Sequence, residues 1–366
     1  GFTSLDPGYV YEKNPPVVIN ACYENLFKFY SNDGEAEPCL ADTYEFSDGG
    51  KTLTVKLKDN IKFASGNEMT SADVLFSINR TKNLKGNPSF ICDTIESMEA
   101  PDDKTVVFHL TQADSGILSK LTYCSLAIVD SAVVKENGGT DAADASTADK
   151  AQAYLDTTSA GSGMFIMTSY KPDQEIVLEK NPNYWGEAPH VDGVEFRIVT
   201  DSNQAINAVQ TGEVDIAMYL QGEAISRAKD AGLLLQIPGS GITYMRFNLQ
   251  NGPTADPKVR EALTKAVDVD AMVAGIYQYG EGTRAYQPLT AFSWAYDPAN
   301  NDLVPGYDPE GAKALLAEAG YPDGFDMTIY IASTSSREKM AQMLQYYWGQ
   351  IGVNLEIVSS TMAEWS

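Results

Sequence analysis

The last third of the chain restricts the fold most. Residues 308–320 (DPEGAKALLAEAG) form an amphipathic helix stopped by a glycine. Residues 327–332 read as a strand, 336–350 as a helix and 353–358 as a second strand. A helix between two short apolar strands is a β-α-β unit, whose strands pair in parallel, and this places the chain in the α/β class. The sequence ends at Trp365-Ser366, where such a fold would start another element, so the chain reads as cut short at its C-terminus.

The earlier part alternates shorter elements. Residues 17–30 (VVINACYENLFKFY) predict one helix with an apolar stripe. Residues 43–57 predict a hairpin around the turn SDGGK, and Pro101–Leu110 echoes it as a neighbouring strand of the same sheet. Thr70 with Asp73 resembles a capping box opening a helix. Residues 135–160 predict a surface helix with loops. Strands are expected at 164–170, 174–180 and 194–199, with the turn Asn181-Pro-Asn-Tyr-Trp-Gly186 before the last. A helix over 201–211, short strands at Gly212–Ile216 and in TYMRFNLQ (243–250), and one long helix from Asp256 to Tyr279 complete the pattern. Pro257 sits in that helix's first turn, where its missing N–H is harmless.

At 366 residues the chain exceeds one ordinary core and suggests two or three lobes. With 50 acidic against 26 basic residues the net charge is −24, which disfavours a phosphate backbone, so no nucleic acid is expected as a partner. There is no run of about 18 apolar residues, the length that spans a bilayer. The start, Gly1-Phe-Thr-Ser, has neither an initiator Met nor a signal peptide and reads as processed or trimmed.

The inventory of reactive groups is thin. The two histidines, His109 and His190, read as structural, and Gly161-Ser-Gly163 is neither a nucleophile elbow nor a phosphate loop. The four cysteines lack metal-ligand spacing; they are disulfides in an exported protein or buried apolar groups in a reducing compartment. No metal or cofactor is expected. Twenty tyrosines suit a ligand cleft, and equally a large α/β core.

Ordered across the chain stand Leu5-Asp-Pro7, Tyr23-Glu-Asn-Leu-Phe27, Leu40–Thr52, Leu57–Phe63, Thr70–Val74, Gly161–Phe165, Lys180–Gly186, Gly212–Ile216, Asp256–Leu263, Ala266-Val-Asp268 and Tyr307–Tyr321. In order and spacing this set resembles the extracellular solute-binding proteins of peptide-type ABC importers, the oligopeptide-, dipeptide- and nickel-binding family. The resemblance implies a periplasmic-binding-protein-like α/β fold with two lobes around a cleft and an extra third lobe. Lobe I would hold residues 1–40 and 161–238, the extra lobe 41–160, and an incomplete opposing lobe 239–366. The family chain usually continues further and there carries an aspartate for the ligand's α-amine.

The resemblance also implies a function without catalysis: capture of short peptides in the cleft and delivery to the ABC permease subunits. The protein would be a monomer outside the cytoplasmic membrane, lipid-anchored at full length. Tyr11, Glu12 and Lys13 match the segment that pairs with the peptide backbone. Asn248 matches a cleft-facing residue, with Tyr244 before it. Arg337 matches a basic group near the ligand carboxylate, a role suited to a guanidinium. Gly161, Ser162 and Gly163 lie at a lobe crossover, as hinge or cleft edge. The Asn-Pro-x-Tyr-Trp turn would serve packing, so Tyr184 and Trp185 are expected to be structural. The rival readings are the same fold with another solute, an oligosaccharide or a metal-chelate complex, and a glycoside hydrolase with paired carboxylates, whose separation is spatial.

Overall fold

The computed structural model describes residues 4–12, 15–31, 34–235, 241–291, 293 and 295–361. The chain forms two compact units, Gly1–Val199 and Thr200–Ser366.

The first unit is built on two sheets. Helix α1 (Pro16–Cys22) leads into extended chain, and Phe27–Lys28 pairs antiparallel with Glu37–Pro38. Strands β1 (Ala41–Ser47), β2 (Thr52–Leu57), β3 (Ile95–Asp102) and β4 (Thr105–Leu110) make an antiparallel sheet of order β1-β2-β4-β3. Register places Tyr44 opposite Val55 and Val55 opposite Val106. Leu53, Val55, Val106 and Phe108 lie fully buried on one face, under helix α2 (Ser71–Leu84), which buries Val74 and Ile78. Alternation of period two explains this one-sided core. The Thr70 N–H donates to Asp73 Oδ2 at 2.9 Å, closing the expected capping box. A second antiparallel sheet follows, β5 (Phe165–Lys171), β6 (Glu175–Lys180) and β7 (Gly193–Arg197), and packs with α1.

The second unit opens with α3 (Ser202–Gln210) and α4 (Glu223–Asp230), which share a small core of Ile206, Ala224 and Ala228. Helices α5 (Pro257–Lys265), α6 (Val269–Ile276), α7 (Pro309–Glu318) and α8 (Ser335–Gly349) surround a larger core with strands β8 (Phe325–Ala332) and β9 (Val353–Ser360). β8 and β9 pair in parallel from Phe325↔Val353 to Ala332↔Ser360, with α8 as crossover: the expected β-α-β unit. Buried Trp348 donates its indole N–H to the Leu263 carbonyl at 2.9 Å and ties α8 to α5.

Several expectations fail for identifiable reasons. The helix expected over 17–30 stops at Cys22, because Leu26 and Phe27 bury as extended chain whose carbonyl at Leu26 accepts from Cys39 and Ala41. Residues 135–160 are short helices rather than a surface helix, with Ala145, Ala151 and Leu155 buried. Gly212–Ile216 is no strand: the Glu213 and Val214 N–H groups return to the Ala208 carbonyl and close α3, leaving Ile216 78% exposed. The expected helix 256–279 breaks after Lys265, because Asp268 caps α6 by accepting from the Ala271 N–H at 2.9 Å. Residues 241–248 alternate inward Met245 and Phe247 with outward Tyr244 and Arg246, yet no ladder partner exists for them among the described residues.

All four cysteines are buried free thiols. Burial pushes Cys22, Cys39 and Cys92 up to about 12 and Cys124 to about 11, so each is an inert apolar group.

Candidate functional site

The N-terminal candidate segment is fixed step by step along α2 and the turn after it. Asp6 is fully buried and accepts from Arg80 Nη1 at 2.8 Å and Nη2 at 2.7 Å. The same guanidinium donates to Asp149 through Nε at 2.8 Å and Nη2 at 2.9 Å. Burial pushes the Asp6 carboxyl up, against the pull of Arg80. Burial also pushes Asp149 up, but Arg80 and the N–H groups of Thr140 and Ala151 outweigh it and hold that carboxyl low. Gly8 lies where a Cβ would meet Leu84 Cδ1 at 2.7 Å, and the Tyr9 ring covers Gly86. Tyr11 then stacks edge-on against Phe90, ring centres 5.5 Å apart at 84°, and lies tilted at 45° against Tyr123, ring centres 5.9 Å apart. Residues 6, 8, 9 and 11 thus contact residues 80, 84, 86 and 90 in order. Tyr11 and Glu12 belong to no strand, and Glu12 is part-exposed. Lys13 lies outside the described residues.

Gly161, Ser162 and Gly163 pack on the end of α1. A Cβ on Gly161 would collide with the Cys22 carbonyl oxygen and the Tyr23 ring, and one on Gly163 would lie 2.6 Å from the Ala21 carbonyl oxygen. These glycines serve close backbone approach. Ser162 is fully buried. The Asn181–Gly186 turn grips the same region. The Asn181 side-chain amide donates to the Gly163 carbonyl at 2.8 Å, that of Asn183 to the Ala64 carbonyl at 3.0 Å, and Tyr184 Oη to Glu24 Oε1 at 3.3 Å. Glu24 also pairs with Lys28 and accepts from the Cys39 thiol at 3.1 Å. Trp185 packs on the four-stranded sheet's core, with Lys58 Nζ 5.3 Å from its ring centre. The turn therefore joins the two sheets of the first unit, and Tyr184 and Trp185 have the structural, packing role expected of them.

In the second unit Tyr244 is 64% exposed and stands beside Arg246, whose Nη2 donates to its hydroxyl at 2.8 Å. Asn248 Oδ1 accepts from the Gln250 N–H at 2.9 Å and the Asn251 N–H at 3.2 Å, shaping a local turn. Arg337 lies in the first turn of α8, just beyond the C-terminal end of β8. Its N–H donates to the capping Thr334 hydroxyl and its Nη1 points to the Ala332 carbonyl at 3.4 Å. In open α/β sheets ligands bind outside the carboxyl ends of parallel strands, and Arg337 sits there.

Sequence reading missed Arg80, Phe90 and Tyr123. The one available signal was a basic residue inside an otherwise well-formed helix; nothing local marked Phe90 as Tyr11's neighbour. Among the described residues no group of three or more His, Cys, Asp or Glu is placed to hold a metal ion. His109 on β4 faces Glu99 at 3.5 Å, and His190 is exposed. No helix among them is long and apolar enough to cross a membrane.

Comparison with known proteins gives a consistent match. The chain is 32% identical over 370 residues to the dipeptide-binding protein of Escherichia coli, covering 94% of this chain and 67% of that protein. It is 31% identical over 369 residues to heme-binding protein A of Haemophilus influenzae, covering 94% and 65%. The chain thus spans about two thirds of these relatives' length. A solved periplasmic binding protein associated with an ABC transporter of Helicobacter pylori, in complex with the peptide STSA, superposes with a TM-score of 0.76 at 25% identity, over 99% of this chain and 72% of that one. The fold is thus that of the periplasmic binding proteins. The family pattern described as bacterial extracellular solute-binding proteins, family 5 Middle, matches residues 35–365, and the chain belongs to that family.

Proposed function

We propose that this protein is the solute-binding component of an ABC importer, that it captures short peptides, and that it hands them to the membrane permease subunits without chemistry of its own. The observation that carries the reading is the segment at Tyr11-Glu12. It is anchored residue by residue through Asp6, Gly8 and Tyr9, yet lies in no sheet, a disposition suited to pairing with a ligand's main chain. Such pairing is blind to side chains and suits a receptor for many sequences.

In this reading lobe I comprises residues 1–40 and 161–238, the extra lobe 41–160 and the opposing lobe 239–366. Ligand touching both main lobes shifts the population toward a closed state. Gly161–Gly163 serve as a fixed edge rather than a hinge, which their packing against Ala21–Tyr23 supports. Arg337 takes the ligand carboxylate, and Tyr244 and Asn248 line the opposing side. The protein works as a monomer outside the cytoplasmic membrane, lipid-anchored at full length.

Native mass spectrometry of gently purified protein, against a denatured control, tests this. A ladder of bound masses matching short peptides is expected. A single discrete non-peptide mass would move the assignment to another solute, a second reading favoured by the likeness to a heme-binding protein. Turnover on a panel of glycosides would overturn the non-catalytic reading altogether.

A further inference from the structure

The chain holds two Asn-Gly pairs, Asn137-Gly138 and Asn251-Gly252. Such a pair carries a latent reaction, because a glycine, having no Cβ, lets its backbone nitrogen approach the side-chain carbonyl carbon before it. The two pairs sit in opposite settings. At the end of the helix Ser131–Glu136 both reacting groups are occupied. Asn137 is part-buried and donates its side-chain amide to the Val133 carbonyl at 2.9 Å, while the Gly138 N–H donates to the Lys135 carbonyl at 3.0 Å. The Gly138 carbonyl also accepts from the Lys150 N–H at 2.9 Å. At the second pair both groups are open. Asn251 and Gly252 are exposed, and among the described residues neither the Asn251 side-chain amide nor the Gly252 N–H has a hydrogen-bond partner. A Cβ on Gly252 would meet nothing within 4 Å, so the space around the pair is clear. The flanks are held: Asn248 Oδ1 accepts from the Asn251 N–H at 3.2 Å, and the Thr254 hydroxyl donates to the Asn248 carbonyl at 2.8 Å. The pair is a free step between two fixed points.

We infer that Asn251 is a site of spontaneous covalent modification, passing to aspartate and isoaspartate, and that folding protects Asn137 from the same reaction. The Gly252 nitrogen gives its proton to solvent base and attacks Asn251 Cγ. The new N–Cγ bond closes a succinimide ring as the Cγ–Nδ2 bond breaks, and the side-chain nitrogen leaves as ammonia with a proton from water. Water then opens the ring at either carbonyl, one opening giving aspartate and the other isoaspartate. Water enters and ammonia leaves, and nothing is oxidised or reduced. Either product adds a negative charge to a chain that already stands at −24. Isoaspartate also routes the main chain through the former side chain, lengthening by a methylene the turn that Asn248 Oδ1 organises. Asn248 is one of the residues proposed to line the opposing lobe, so the modification would reach ligand binding; that consequence alone rests on the peptide-receptor function.

Incubation of the purified protein at mildly alkaline pH, sampled over time by peptide mapping with mass spectrometry, tests the site. Isoaspartate is counted separately by enzymatic methylation with an isoaspartyl carboxyl methyltransferase. Asn251 is expected to convert at least about tenfold faster than Asn137, which reacts only when its helix end opens locally. In urea, where both pairs lose their surroundings, the two rates should come within about twofold of each other, which assigns the difference to the fold. Asn251→Gln should remove most of the isoaspartate formed by the folded protein, since the longer side chain closes its ring far more slowly. Equal rates in the folded protein, faster conversion at Asn137, or a difference that persists undiminished in urea would each overturn the inference.

Discussion

The first unit buries Asp6, Glu24, Asp73, Arg80 and Asp130, each hydrogen-bonded within the unit (Asp130 accepts from the Ser65 hydroxyl at 2.6 Å and the Asn67 amide at 2.9 Å), whereas among the described residues of the second unit Thr254 is the one buried polar group. The first therefore fixes its geometry through directional, low-dielectric contacts that tolerate one arrangement. The second is held by apolar packing around Trp348, Leu263 and Val353, with its charges at the surface. The candidate ligand groups differ accordingly. Tyr11 is carried by a backbone locked to α2, while Tyr244 and Arg337 are long side chains on exposed or part-exposed positions.

The contrast breaks most readily at Arg80. Arg80→Ala leaves Asp6 and Asp149 buried and facing one another without their cation, and should cost about 3–5 kcal/mol. Urea unfolding followed by circular dichroism reads it; a loss below about 1 kcal/mol, the scale of an exposed pair, would mean that the network does not hold the segment. Gly161→Ala comes next. Its methyl group would drive into the Cys22 carbonyl and Tyr23 ring, and overpacking of this kind costs about 1–3 kcal/mol. A thermal melt unchanged from wild type would refute that close packing.

In the second unit the effect should move from stability to affinity. Arg337→Ala is expected to leave the melting temperature nearly unchanged. It should weaken a free-acid peptide by about 1–3 kcal/mol while sparing its C-terminal amide, as for other charged hydrogen bonds. Equal losses for acid and amide would remove Arg337 from carboxylate binding.

The smallest effect expected is with acid. Asp149 is held below its ordinary value, so its contribution is complete above the unfolded carboxylate's pKa of about 3.9 and is lost as pH falls through the lower folded value. Asp6 is raised by burial and acts in the opposite sense, its ionisation costing stability that protonation returns. The two partly cancel. Asp149→Asn should therefore flatten the loss of stability below about pH 4, measured by unfolding at stepped pH; an unchanged slope would show that this carboxylate is not the titrating group.

Much of the local architecture was legible in the residue order. The hairpin of β1 and β2, the Thr70 capping box and the β8-α8-β9 unit all follow from periodicity and turn chemistry acting over a few residues. Where expectation failed, a local pattern met a competing partner. Asp268 looked like the interior of a long helix and instead caps a new one. TYMRFNLQ has the alternation of a strand but finds no ladder among the described residues. Leu26 and Phe27 fit a helical stripe yet bury better as extended chain beside Cys39.

By itself the sequence determined the α/β class, those elements whose pattern is purely local, such as the β1-β2 hairpin and the β8-α8-β9 unit, and, through dispersed motifs such as Tyr23-Glu-Asn-Leu-Phe27 and Asn181–Gly186, the family. These depend on near neighbours and on side-chain type. Only the tertiary structure decided that Arg80 reaches Asp6 and Asp149, 74 and 69 residues away, and that Phe90 lies against Tyr11. Contacts over such separations leave no period in the chain; they exist because folding brings remote groups together and desolvates them, and only then does a guanidinium need its two carboxylates or an exposed ring acquire a neighbour.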